Sequence, residues 1–199
     1  LQDPGLNEFV LAKPLLSVQP RFLKSVQCEH RDGPVVVKVY VKWRAFSLQH
    51  HAHNLRLVRR ATSQRSMPNV LPYQQVIEPF PGKRSKSAFM IRQFMASNLG
   101  DRISSQPFLK DIEKRWIAFQ ILQALYQCHH HVNTQSAFCH GDVKPENILL
   151  TTWNWVVLSD FAVFKPTHLP DNDPAGFYYF FDKPGVRQQR CYLAPERFY

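Results

Sequence analysis

His140-Gly141-Asp142-Val143-Lys144-Pro145-Glu146-Asn147, trailed by Ile148-Leu149-Leu150, a Trp-rich stretch and Asp160-Phe161-Ala162, is the densest run of chemistry in this chain. Moving a phosphoryl group needs a carboxylate to receive the proton of the attacking hydroxyl, oxygen ligands for a divalent metal, and a cation against the transferred phosphate. Asp142 has the place of the base, Asn147 and Asp160 those of the metal ligands, and Lys144, two residues past the base, that of the cation. Asp142 and Asn147 lie 5 residues apart, a tight loop, and Asp142 and Asp160 lie 18 apart. The longer interval suffices for two short strands that fold back and return the second acid beside the first. Ile148-Leu149-Leu150 and Trp155-Val156-Val157-Leu158 are those predicted strands. Any single Asp or Asn here would pass for a turn or a helix cap. A histidine-led loop, two apolar strands and a second acid in this order point instead to one site.

Upstream, Arg21 to Glu29 and Pro34 to Val41 read as two strands joined by the hairpin signal Arg31-Asp32-Gly33. In Val35-Val36-Val37-Lys38-Val39-Tyr40 a lysine interrupts an almost unbroken apolar strand. An unpaired buried ammonium is costly, so Lys38 is expected to reach into a cleft and, with Asp142 and Asp160, to anchor the α- and β-phosphates of a nucleotide. The pattern Phe46, Leu48, Ala52, Leu55, Leu57, Val58 predicts a helix over 46–61. No Asp or Glu occurs between Asp32 and Glu78, so that helix has no acid to offer Lys38. Ala88 to Met95 predicts a further strand, and Asn98-Leu99-Gly100-Asp101 the connection into a second lobe. From Pro107 to His131 the spacing predicts a long amphipathic helix with Ile112, Trp116, Phe119, Leu122 and Leu125 on its apolar face.

Composition bounds the alternatives. With 199 residues, 44% hydrophobic and 13% aromatic, the chain can build a packed core and is not a disordered tail. No apolar run approaches the roughly 20 residues of a membrane-spanning helix. The start, Leu1-Gln2-Asp3-Pro4-Gly5, has neither an initiator Met nor a signal-peptide pattern, so the chain reads as a piece of a longer protein. Cys28, Cys128, Cys139 and Cys191 lie far apart, which argues against a disulfide framework or a zinc knuckle and for a reducing compartment. His50-His51 with His53, and His129-His130-His131, have no acidic or cysteine partner close by and read as solvated helix surface. A net charge of +10 favours anionic partners such as phosphates or an acidic membrane leaflet. Nucleic acid is not expected, because the basic residues are scattered and not interleaved with aromatics on one stripe.

Lys38, His140-Gly141-Asp142 with Lys144 and Asn147, Asp160-Phe161-Ala162 and Ala194-Pro195-Glu196 together resemble a eukaryotic protein kinase over nearly the whole chain. The resemblance implies an α+β, bilobal kinase fold, with the N-lobe and hinge over 1–97. The start of the C-lobe, with its long helix, catalytic loop, metal loop and activation segment, would occupy 98–199. It implies Mg²⁺ with ATP or GTP, places the lysine two after the catalytic Asp in the serine/threonine branch, and makes Glu196 a structural residue pairing with an arginine beyond residue 199. Asp3-Pro4-Gly5-Leu6, Asp101-Arg102-Ile103, Ile112 to Gln120, Trp153-Asn154-Trp155 and Ser159-Asp160-Phe161-Ala162 are further similar to a narrower family, the kinase-like regulatory subunits of class III phosphatidylinositol 3-kinase complexes. That similarity implies a large partner of the lipid kinase's catalytic subunit, acting in autophagy and endosomal or vacuolar sorting. Such a protein would be cytoplasmic and peripheral on those membranes, carrying helical-repeat and propeller domains and a myristoylated N-terminal Met-Gly outside this chain.

Departures from the active-kinase pattern are as telling. No glycine occurs between Gly5 and Gly33, so the loop expected over the nucleotide phosphates, near Leu16 to Lys24, lacks its glycines. Gly141 stands where an arginine would read a phosphorylated activation segment, which disfavours that switch. By the resemblance Arg92 lies at the back of the base pocket and Gln93 to Met95 form the hinge. A guanidinium there could meet the O6 and N7 acceptors of guanine, or turn to an acid. Three functions follow: a weak or restricted serine/threonine kinase, a nucleotide-binding pseudokinase scaffold, and a small-molecule phosphotransferase, against which Lys144 and Ala194-Pro195-Glu196 speak. The aromatic run Phe177 to Phe181 in the activation segment suits either packing into the lower lobe or contact with a partner.

Overall fold

Period-two alternation builds the upper half of the molecule. In the computed structural model, which describes residues 8–15, 23–41, 67–77, 87–106, 108–130 and 139–162, the strands β1 (Val10–Leu15), β2 (Leu23–His30), β3 (Gly33–Val41), β4 (Gln75–Ile77) and β5 (Ser87–Gln93) form one sheet. The order is β1-β2-β3-β5-β4, every neighbour antiparallel. The expected β2–β3 hairpin turns through Arg31 and Asp32, and Gly33 takes a φ of 116°, which costs a glycine little. Along β3, Val35 and Val37 point to one face, where they join Cys28, Phe89 and Ile91 in a buried apolar cluster. Val36 and Lys38 therefore point to the other. The register sets Met90 opposite Lys38 and Arg92 opposite Val36, so Lys38 and Arg92 lie on that same second face, on a diagonal. Both are buried.

The lower half is built on the hairpin β6 (Ile148–Leu150) and β7 (Val156–Leu158), in the positions the sequence predicts, with helices α1 (Leu99–Ser105) and α2 (Asp111–His129) beside it. Asn98 to Asp101, expected as the connection into a second lobe, makes that connection by opening α1. The Asn98 Oδ1 accepts the Asp101 N–H at 2.9 Å and caps the first turn. α2 starts at Asp111, not Pro107, because the Lys110 N–H is taken by Glu113 Oε2 at 2.8 Å.

The buried face of α2 also differs from the expected one. Ile117, Gln120, Ala124 and Cys128 face the core, Leu125 packs partly against it, and Ile112, Trp116, Phe119 and Leu122 are exposed. Apolar residues are spread round this helix among charged and polar ones, so periodicity alone could not single out a face. What selects it is the backbone of β7 and the turn before it. Gln120 Oε1 accepts the Val156 N–H at 3.0 Å and its Nε2 donates to the Asn154 carbonyl at 2.9 Å, satisfying groups that would otherwise be buried unpaired.

The two halves meet along residues 67–74. The Leu71 N–H donates to the Leu158 carbonyl at 2.9 Å and the Leu158 N–H to the Asn69 carbonyl at 2.8 Å. The Asn69 side chain donates to the Val156 carbonyl at 2.9 Å and to Gln120 Oε1 at 3.2 Å. Met67, Val70, Tyr73 and Met90 come down into a core that includes Ile117, Ala124, Cys128, Ile148, Leu150, Val156, Leu158 and Phe161. A second junction is the chain itself: the Phe94 N–H donates to the Pro34 carbonyl at 3.0 Å, and the Leu150 N–H to the Ser97 carbonyl at 3.0 Å.

Candidate active site

The β6–β7 hairpin returns Asp160 to the neighbourhood of Asp142. Pro145–Asn147 form a 3-10 turn that feeds β6, proline taking a position where its missing N–H is no loss. At the far end the Ser159 N–H and Oγ both donate to the Asn147 carbonyl, at 2.9 and 3.1 Å, tying the segment before Asp160 to the loop after Asp142.

His140 fastens these pieces from below. Its Nε2 is 2.7 Å from the Ser159 carbonyl, its Nδ1 accepts the Asp142 N–H at 3.2 Å, and its carbonyl accepts the Ala162 N–H at 2.8 Å. One nitrogen accepting and the other facing a carbonyl defines a neutral ring with the proton on Nε2. Burial, the chief cause, lowers its pKa to about 4, against the opposing pull of the Ser159 carbonyl. The ring packs on Phe161 with centroids 4.4 Å apart. Gly141 has a φ of 78°, and a Cβ there would stand 2.6 Å from the Ala162 carbonyl oxygen, so a side chain at this position would require the Ala162 backbone to shift.

Asp142 is half-buried and held by its own loop. The Asn147 Nδ2 donates to its carbonyl at 2.7 Å and to its Oδ2 at 3.1 Å, and Lys144 Nζ lies 3.4 Å from Oδ2. Asp160 is held by the sheet above. Lys38 Nζ is 2.8 Å from Oδ1, Arg92 Nε 2.9 Å from the same oxygen, and Arg92 Nη2 3.3 Å from Oδ2. Burial alone would push this carboxyl up. The two cations more than offset that and hold it well below the usual carboxylate range, while burial, only partly countered by Asp160, lowers the Lys38 ammonium. Asp160 adopts a φ of 65°, a left-handed conformation uncommon outside glycine and the kind that clusters at functional sites.

Lys38, Asp142, Lys144, Asn147 and Asp160 are thus brought together around one set of acids. An amide and a carboxylate suit a hard cation such as Mg²⁺ in donor type, and with the Asn147 nitrogen turned to Asp142 its oxygen is the end that could ligate, but both Asp160 oxygens already carry a cationic partner, Oδ1 from Lys38 and Arg92 and Oδ2 from Arg92. Arg92 turns inward to Asp160 and, through Nη1, to the Gln93 carbonyl at 3.0 Å, an arrangement directed at an acid and not at a purine edge. Met95 lines a cleft of about 520 Å³ with Ser97, Arg102, Leu150 and Trp153, whose walls include none of the acids. Glu196, the helix expected over 46–61, the glycine-free loop near Leu16 to Lys24 and the activation segment past Ala162 lie outside the described residues. Sequence reasoning set Lys38 beside Asp160 but missed Arg92 as the third member of that cluster, and it missed the Asn69–Gln120 bridge. The signals were partial: a lysine and an arginine each set inside an apolar strand, and a lone glutamine inside Ile117-Ala118-Phe119-Gln120-Ile121-Leu122.

Comparison with known proteins agrees with this construction. The chain is 50% identical over 181 residues to the serine/threonine-protein kinase VPS15 of Arabidopsis thaliana, a stretch covering 90% of this chain and 11% of that protein. It is 45% identical over 181 residues to a probable serine/threonine-protein kinase vps15 of Dictyostelium discoideum, with 90% and 9% covered. For the VPS15 of Saccharomyces cerevisiae the figures are 42% over 180 residues, with 89% and 11% covered. The chain therefore spans about a tenth of the length of these curated relatives. The family of the protein kinase domain matches residues 24–198, from β2 through both acid-bearing loops, and the chain belongs to that family.

Proposed function

We propose that this chain is the kinase-fold portion of a VPS15-type regulatory subunit. It binds a purine nucleoside triphosphate, ATP or GTP, with Mg²⁺. The full-length protein serves the catalytic subunit of a class III phosphatidylinositol 3-kinase in autophagy and endosomal or vacuolar sorting, with weak phosphoryl transfer to serine or threonine. The observation that carries this reading is the convergence of Asp142, Asn147 and Asp160 under Lys38, with Asn147 bonded to Asp142 and Lys38 2.8 Å from Asp160. The net charge of +10 suits an anionic membrane surface on those compartments. The protein-kinase match over residues 24–198 weighs against the small-molecule phosphotransferase reading.

Mg²⁺, when bound, supplies charge neutralisation for the β- and γ-phosphates. Asp142, oriented by Asn147 and Lys144, would take the hydroxyl proton as the new O–P bond forms and the bond to the leaving diphosphate breaks. Lys144 would follow the transferred group and Lys38 would contact the α- and β-phosphates. A second reading, a nucleotide-binding scaffold without turnover, is favoured by one observation: Lys38 and Arg92 are both engaged by Asp160.

Full-length protein with Mg²⁺ and radiolabelled ATP or GTP separates the two, comparing wild type with Asp142→Ala and Asp160→Asn. Turnover abolished by Asp142→Ala is the expected result for the enzyme. Binding without turnover, lost only in Asp160→Asn, would establish the scaffold, and no binding by wild type would overturn the nucleotide site altogether.

A further inference from the structure

Three cations, Lys38, Arg92 and Lys144, face two carboxylates, Asp142 and Asp160, among the described residues of the site. Arg92 is the surplus one. Its place is fixed by strand register: on β5 it stands opposite Val36, which turns it to the same face as Lys38 and straight at Asp160. It is buried, and its contact is a fork, Nε on Oδ1 at 2.9 Å and Nη2 on Oδ2 at 3.3 Å, so one edge of the carboxylate is covered by a guanidinium. The Arg92 Nη1 is itself held by the Gln93 carbonyl at 3.0 Å, which fixes the plane of the fork.

We infer that Arg92 is a built-in counter-cation of Asp160 that occupies the carboxylate edge a divalent metal would take, so that this site holds a nucleoside triphosphate with little dependence on Mg²⁺. The inference rests on the nucleotide reading above and specifies its metal requirement. Two fixed positive charges beside Asp160 repel a divalent ion, and the same charges attract the polyphosphate directly. Arg92 also departs from the usual division of labour, in which the acid of this loop is reserved for the metal.

The test is equilibrium binding of fluorescent ATP and GTP analogues to the full-length protein, in EDTA and in saturating Mg²⁺, for wild type and Arg92→Met. Methionine keeps the apolar stem and removes the charge. Wild-type affinity should change by no more than about twofold between the two conditions, and Arg92→Met should become at least about tenfold tighter with Mg²⁺ than without. A tenfold Mg²⁺ enhancement in wild type overturns the inference while leaving the nucleotide site intact, and this arm needs no variant to fold. Equal, small metal effects in wild type and a folded Arg92→Met also overturn it. Absence of binding in every condition overturns the nucleotide reading and the inference with it.

Discussion

Two acids that lie 18 residues apart in sequence are held in opposite ways. Asp160 is fixed by the sheet above, through two buried cations; Asp142 is fixed by its own loop, through an amide and a half-buried lysine. A carboxylate gripped by buried charges is a structural member as well as a reactive one, because removing it strands those charges. A carboxylate gripped by a neutral amide can be changed at small structural cost. The difference separates stability from chemistry at two neighbouring positions.

Breaking the upper grip should give the largest effect. Asp160→Leu leaves Lys38 and Arg92 buried together without a counter-charge and should cost about 3–5 kcal/mol, read as a large drop in unfolding midpoint. Next comes the histidine that touches both acid-bearing segments. An unfolded imidazole titrates near 6.5 and His140 at about 4, so between these values the unfolded chain binds the extra proton. The stability is complete above roughly pH 6.5 and is lost as pH falls toward 4, by about 3 kcal/mol, in urea unfolding across that range. His140→Asn should flatten this acid limb.

Gly141→Ala comes third. A left-handed backbone and a Cβ placed 2.6 Å from a carbonyl oxygen should together cost about 2 kcal/mol in the same assay. Gln120→Leu should be somewhat milder, about 1–2 kcal/mol, since it leaves the Val156 N–H and the Asn154 carbonyl without their partner. Smallest of all should be Asp142→Asn, with less than about 1 kcal/mol of stability lost and any turnover gone. If Asp142→Asn destabilised the protein as much as Asp160→Leu, the contrast between the two acids would fail.

Much of this arrangement was legible in the chain, for a physical reason. The strands β3, β6 and β7 and the loop between Asp142 and Asn147 are dictated by local pattern: apolar runs bounded by turn residues, and acids at short fixed spacing. The loss of an arginine at Gly141 was also visible, though the contact with Ala162 that opposes a side chain there was not. What escaped depends on neighbours distant in sequence. The face of α2 was chosen by the backbone needs of β7, 36 residues away, through Gln120 and not through the bulkiest apolar residues. Arg92 was weighed between a purine and an acid; the acid it meets is Asp160, buried in the site and 68 residues downstream. The helix start at Leu99 was hidden because Asn98-Leu99-Gly100-Asp101 carries turn chemistry and a helix cap in the same four letters.

The hydrogen bonds of residues 69–71 to β7 have a mechanical consequence. Among the described residues the backbone joins the upper sheet to the lower hairpin at two places, through Asn69 and Leu71 and through the continuous chain from Gln93 to Ser97, and the Lys38 and Arg92 side chains join it to Asp160 between them. Two separated pins define an axle. Swinging of the halves about the line through those pins would have to open the Lys38–Asp160 and Arg92–Asp160 contacts, and sliding or free twisting would have to tear the Leu71–Leu158 and Leu158–Asn69 bonds first.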